Sequence, residues 1–145
     1  MKAKLSPPSI FLLSHGVILM GLGLYFVIIR PALLPEDPRF MGTTLSEIQA
    51  TMPGLLIWLR RVFWVMGGFM FTAGLLTTFV AATAFQQLTR SVRFVIVLAA
   101  LTSIGWMAVI NFMLNSDFKW LLLAFNLPWI AALVLSWREN RLIQA

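Results

Sequence analysis

The chain has 145 residues, 60% apolar and 11% charged, with a net charge of +6 and a mean hydropathy of +0.90. A soluble domain carries roughly 45–50% apolar and about 25% charged residues. This composition is therefore too poor in charge to coat a water-facing surface and too apolar for disorder, which leaves an integral membrane protein.

The charged residues are clustered. The four charge-free runs between them, 5–29, 62–89, 94–116 and 120–137, hold 25, 28, 23 and 18 residues. A hydrocarbon core of ~30 Å takes about 20 residues of helix. Lipid offers the backbone no hydrogen-bonding partners, which favours helices for runs this long. The predicted fold is all-α: a four-helix transmembrane bundle forming a single membrane domain over 1–145. Its spans fall at about 9–29, 62–85, 93–114 and 119–137, and its one extramembrane loop, 30–61, contains a short amphipathic helix. The ten-residue alternating strands of a transmembrane barrel do not occur.

The first span follows a basic start, Lys2 and Lys4, but it is longer than a signal peptide's apolar region and lacks the small-residue cleavage pattern. It reads as a retained helix. His15 is the ionisable residue inside it, and such a residue marks a candidate site. Two roles are open. A neutral histidine can hydrogen-bond a neighbouring helix, with Thr77 or Thr78 at similar depth on the second span as partner. Cofactor ligation or proton handling is the other, although a haem would need a methionine as second ligand, because the chain has one histidine. Ser14 and Gly21, and likewise Gly16 and Gly23, repeat at seven and mark packing faces.

The loop opens with Pro31, Pro35 and Pro38, which fix φ and predict an extended or turning path, and Gly42 can supply a tight turn. Thr44 and Glu47 have capping-box spacing, and Leu45, Ile48 and Met52 give the next helix one apolar face. Pro53 interrupts that helix or begins the next. An interfacial cap over the bundle is one reading of this segment. A lid or partner-docking surface is the other, with Glu36, Asp37, Arg39, Glu47, Arg60 and Arg61 as its candidate residues. Weak surface ion pairs can join its acids to Arg30, Arg60 or Arg61.

On the second span Gly67, Gly74 and Ala81 repeat at seven, and on the third Ala99 and Ser103 are four apart. Small residues so placed let helices approach closely in lipid and argue for a compact bundle. Asn111 on the third span and Asn126 on the fourth lie at comparable depth and can bond across helices or line a small polar cavity. Pro128 frees a carbonyl in the fourth span and predicts a kink. Trp58, Trp64, Trp120 and Trp137 suit interfacial anchors, whereas Trp106 and Trp129 read as packing residues near midplane.

Four spans place Lys2, Lys4, Arg90, Arg93, Arg138 and Arg141 on one side, and Arg30, Arg39, Arg60, Arg61 and Lys119 on the other. The first set sits in shorter segments, which favours both termini in the cytoplasm of a cell inner membrane. Cations flanking spans sit among lipid phosphates, so +6 does not indicate nucleic acid. No cysteine is present, which removes disulfides and thiolate metal sites.

The run Pro35, Glu36, Asp37, Pro38, Arg39, Phe40, Met41 and Gly42, followed by Glu47, Ile48, Gly67, Gly68 and Gly74, resembles a pattern in small uncharacterised bacterial four-helix integral membrane proteins. That resemblance implies the class and a bacterial origin, and no activity.

Three functions compete. Spans without Asp, Glu, Lys or Arg fit a non-catalytic accessory or assembly subunit, partnered by a membrane protein or by a second copy of itself within the bilayer. A binder or carrier of a lipid, quinone or other apolar molecule would use a Met- and Phe-lined interior, with His15, Asn111 and Asn126 as polar handles. An enzyme is least supported, because no acid–base pair, nucleophile, phosphate loop or metal motif can be placed. No catalytic residue, metal or further cofactor is expected.

Overall fold

The computed structural model describes residues 5–83, 85 and 89–144, the side chains of 90 and 140–144 excepted. Of the cations that favour cytoplasmic termini, Lys2, Lys4 and the side chains of Arg90 and Arg141 lie outside the described residues.

The chain forms α1 (Pro7–Ile28), α2 (Glu36–Met41), α3 (Leu45–Thr51), α4 (Pro53–Ala82), α5 (Arg90–Ala100), a π-helical turn (Leu101–Gly105), α6 (Trp106–Met113), α7 (Lys119–Ala124) and α8 (Leu127–Gln144). No strand occurs among the described residues. Four helical stretches are long and apolar enough to cross a membrane: Pro7–Ile28, Pro53–Ala82, Ser91–Met113 and Lys119–Glu139. The protein is an all-α, multi-pass bundle of four membrane-spanning helices.

Local chemistry sets the ends of these helices. Ser6 caps α1 by accepting from the Ser9 amide, and Pro7 and Pro8 occupy first-turn positions whose amides need no partner. Pro53 does the same for α4, so that helix starts nine residues earlier than its charge-free run. Its 30 residues make a rod of roughly 45 Å, longer than a bilayer core, so Arg60 and Arg61 belong to a helix projecting from the membrane.

The loop holds two short helices instead of one. Pro35 and Pro38 do not forbid α2. They sit at its N-cap and first turn, where a missing N–H costs nothing, and Gly42 ends it at φ 70°, a conformation only glycine adopts freely. In α3 the capping box forms in both directions, Thr44 Oγ1 accepting from the Glu47 amide and the Glu47 carboxylate accepting from the Thr44 amide. Of its three predicted apolar contacts only Ile48 is buried, while Leu45 and Met52 are exposed.

Helix α1 packs chiefly on α4 and, along its other side, on α8. The α1/α4 seam is keyed by glycines in antiparallel register, Gly16 against Gly74 and Gly23 against Gly67. A Cβ on Gly74 would lie 2.6 Å from the Gly16 oxygen, and one on Gly67 would lie 2.6 Å from the Gly23 oxygen. The same register sets Ser9 against Ala81, both fully buried. Of the two stripes predicted on the first span, only Gly16/Gly23 packs; Gly21 has nothing within 4 Å.

All four spans meet at the end nearer the termini, where Leu12, Ala81, Phe85, Ile96, Ala100, Trp129, Ala132 and Leu133 form one apolar cluster. Among the described residues this interior is Leu, Ala and Ile with one Phe and one Trp, so methionine does not line it as the composition suggested. The third span turns Ile96, Ala100, Ile104 and Ala108 inward, one residue round from the predicted Ala99 and Ser103.

Candidate functional site

The fourth span breaks at Phe125–Asn126, between α7 and α8. Pro128 supplies no N–H to the carbonyls behind it, which opens the ladder there. The Phe125 carbonyl, left available at this break, accepts from His15 Nδ1 at 3.3 Å. A carbonyl can only accept, so Nδ1 carries the proton and Nε2 keeps a lone pair. Thr77 and Thr78, the partners predicted for His15, instead bond back to Ala73 and Gly74 of their own helix.

Asn126 does not pair with Asn111. Its Nδ2 donates to the Leu122 carbonyl, and Asn111 Nδ2 donates to Met107, each four residues back on its own helix. The Asn126 Oδ1 points instead toward the π turn of the third span, where a Cβ on Gly105 would lie 3.7 Å from it. The π turn and the helix break thus face each other. Both are places where the backbone ladder is irregular, and π turns recur at functional sites.

Three polar atoms around this break are buried without a partner: His15 Nε2, Asn126 Oδ1 and Trp129 Nε1. His15 is 1% exposed. Asn126 and Trp129 are three residues apart on one face of the fourth span, and His15 is tied to the residue before Asn126. Their open valences are two acceptors and one donor. Trp129 was legible only as a packing residue, and its role here depends on the break beside it.

A second cluster lies at the opposite end, in the 30–61 loop. Glu36 is 4% exposed, and its Oε1 accepts from Ser116 Oγ at 2.9 Å, which joins the loop to the turn between the third and fourth spans. Asp37 accepts from the Leu34 amide at 2.8 Å and faces Arg30 at 3.7 Å. Arg39 reaches Asp117 at 3.2 Å, an exposed pair that contributes little.

Glu47 is spent on the cap of α3, accepting from Thr43 Oγ1 at 2.7 Å and the Thr44 amide at 2.9 Å. The Thr43 hydroxyl, and then the Thr44 amide and hydroxyl, hold its carboxyl below the ordinary value. Every acid of the loop is therefore engaged within the chain. Ser116 and Asp117 carry no motif in the sequence; their one signal is that they follow a span ending on the loop's side.

Arg30 sits over Phe63, its guanidinium carbon 3.5 Å from the ring centroid, with Phe26 at 5.2 Å. Burial pushes its pKa below the ordinary arginine value, opposed by the charges of Asp37, Tyr25 and Glu36. Arg60 approaches Trp64 at 5.8 Å. Arg61 is exposed. A cleft of about 440 Å³ opens between the end of α1 and the start of α4, lined by Ile29, Arg30, Pro31, Ala32, Leu56, Ile57 and Arg60.

No known protein family, curated protein or solved structure matches this chain. Among the described residues no group of three or more His, Asp or Glu is placed to hold a metal ion.

Proposed function

We propose that this chain is a non-catalytic accessory or assembly subunit of a bacterial inner-membrane complex, with both termini cytoplasmic. The observation that carries the reading is Trp106. It lies seven residues, about 10 Å, inside the end of α6, and is 62% exposed. An indole N–H at an interface finds water or headgroups, but at this depth it faces hydrocarbon and wants an acceptor. A neighbouring transmembrane helix supplies one.

The rest of the third span supports that placement. Phe94, Leu98, Leu101, Val109 and Phe112 are exposed while a single narrow stripe packs inward. The glycine-keyed α1/α4 pair and the internally tied loop make the remainder a firm support for such a face.

Photo-crosslinking in membranes tests this. A crosslinker at position 106 is expected to give one discrete adduct with a second, different protein, and one at Phe69, 75% exposed on α4, to give none. A product of twice the chain's own mass, or identical patterns at both positions, would overturn the reading.

A second reading, binding of an apolar small molecule inside the bundle, is favoured by the three open valences at the helix break. Their polarity narrows the ligand. A quinone carbonyl satisfies only the Trp129 N–H, whereas a hydroxyl donates to His15 Nε2 or Asn126 Oδ1 and accepts from Trp129. A lipid alcohol therefore fits better than an oxidised quinone. Native mass spectrometry after mild extraction tests it: retention of a hydroxylated lipid, lost in Trp129→Phe, supports the reading, and retention of a quinone or of nothing counts against it.

A further inference from the structure

The Arg30/Arg60 cleft is used by neither reading above. Its walls are apolar, Ile29, Leu56 and Ile57, and the charged groups lining it are both cationic. The two arginines come from different elements. Arg30 follows the last turn of α1 and Arg60 lies on α4, seven residues from its start, so the cleft sits where a helix leaves the hydrocarbon and headgroups begin.

We infer that this cleft binds the phosphate of an anionic membrane amphiphile, with Arg30 and Arg60 as its ligands. Four features favour that occupant over a generic surface charge. First, Arg30 is pre-set. Its side chain is 9% exposed and sits over Phe63, and Nη1 donates to the Pro31 carbonyl at 2.9 Å. A held guanidinium loses less entropy on binding phosphate than a free one.

Second, two carboxylates act on Arg30, and neither is in close contact with it: Glu36 is bonded to Ser116, and Asp37 is the nearer. It stands off at 3.7 Å and already accepts from the Leu34 amide. Third, Arg60 is exposed and has no ion pair among the described residues, so it brings a full charge to the cleft. Fourth, the volume suits a headgroup, and the exposed Ile57 of the wall, with the exposed Ile28 next in sequence to Ile29, offers apolar surface along which acyl chains can lie.

The shared chemistry is a phosphate, which a lipid headgroup and free phosphate both carry, and the experiment separates them. The purified full chain is reconstituted in nanodiscs of phosphatidylcholine with 10–20% phosphatidylglycerol (roughly the content that gives a moderate surface charge), released in the gas phase, and its retained lipids are weighed. The wild type is expected to keep phosphatidylglycerol in preference to phosphatidylcholine. Arg60→Gln is expected to keep about tenfold less, the loss that follows removal of one charge-assisted hydrogen bond.

Arg61→Gln removes the adjacent cation, which does not line the cleft, and is expected to retain phosphatidylglycerol like the wild type. Arg30→Lys, which keeps the charge without the planar fork, is expected to fall between them. Equal loss in Arg60→Gln and Arg61→Gln, or equal retention of the two lipids by the wild type, would overturn the site. Displacement of the lipid by millimolar inorganic phosphate would assign the cleft to free phosphate and overturn the amphiphile.

Discussion

Gly16 and Gly74 meet backbone to backbone across the α1/α4 seam: a Cβ on Gly74 would lie 2.6 Å from the Gly16 oxygen and 2.6 Å from the Met20 nitrogen. One heptad away Gly23 and Gly67 repeat the arrangement, in antiparallel order along the two helices. In lipid no hydrophobic drive holds helices together, so dispersion over such a close seam carries much of the association.

Replacing Gly74 or Gly23 by Ala is therefore expected to force the helices apart and to destabilise the bundle by about 1–3 kcal/mol, the range for overpacking a close contact. Gly21→Ala and Gly68→Ala, where nothing lies within 4 Å, are expected to cost nothing. Unfolding in mixed micelles measures all four. Equal losses at the paired and the open glycines would contradict the register.

His15→Phe removes the donor to the Phe125 carbonyl and is expected to cost about 0.6–1.7 kcal/mol, the range of hydrogen bonds between membrane helices. Thr77→Val removes only a bond within its own helix and is expected to stay within about 0.5 kcal/mol. The same unfolding assay checks both, and the reverse ranking would restore Thr77 as the histidine's partner.

Ser116→Ala leaves the buried Glu36 Oε1 without its donor and is expected to cost about 1–3 kcal/mol. Arg39→Ala breaks an exposed pair and is expected to stay within about 0.5 kcal/mol. Proteolysis of the 30–61 loop reads out both, with faster cleavage expected in Ser116→Ala alone.

The cap of α3 carries a pH dependence of determinate sign. Three hydrogen bonds to its charged form hold the Glu47 carboxyl below the ordinary value of 4.5. A carboxyl depressed in the folded state stabilises above its unfolded pKa and loses that contribution as pH falls through the folded one. Helix α3 is therefore expected to stay formed at neutral pH and to fray as pH drops from the ordinary glutamate value downward. Thr44→Ala is expected to fray it at every pH. Amide exchange at Ile48 follows both, and an exchange rate that does not respond to acid would contradict the cap.

The membrane spans were legible because a charge is so costly in hydrocarbon that its absence over 18 to 28 residues leaves few alternatives. The capping box at Thr44 and Glu47 was legible because it is local. Helix α2 was hidden by its prolines, whose meaning reverses between the interior of a helix and its first turn. Pro53 reads as either a helix break or a helix start, and that α4 runs unbroken from it into the span was hidden by Arg60 and Arg61, which interrupt an apolar run without interrupting a helix.

At the candidate site, Pro128 announced an opened helix ladder, but the histidine that bonds the Phe125 carbonyl beside it comes from 110 residues away. Asn111 and Asn126 matched in depth and yet face different neighbours, because rotation of a helix about its axis is set by packing and leaves no mark in spacing. Trp106 read as a core residue for the same reason: its depth is written in the chain, and the direction it faces is not.

On the proposed function, the exposed face of the third span belongs against another protein. Extraction in a mild detergent, followed by native mass measurement of the wild type and of Trp106→Leu, tests it most directly. The wild type is expected to run as a complex with a distinct membrane protein, and Trp106→Leu is expected to weaken that complex by about tenfold, as loss of a buried anchor does. A wild-type chain that emerges alone, or a complex untouched by Trp106→Leu, would contradict it.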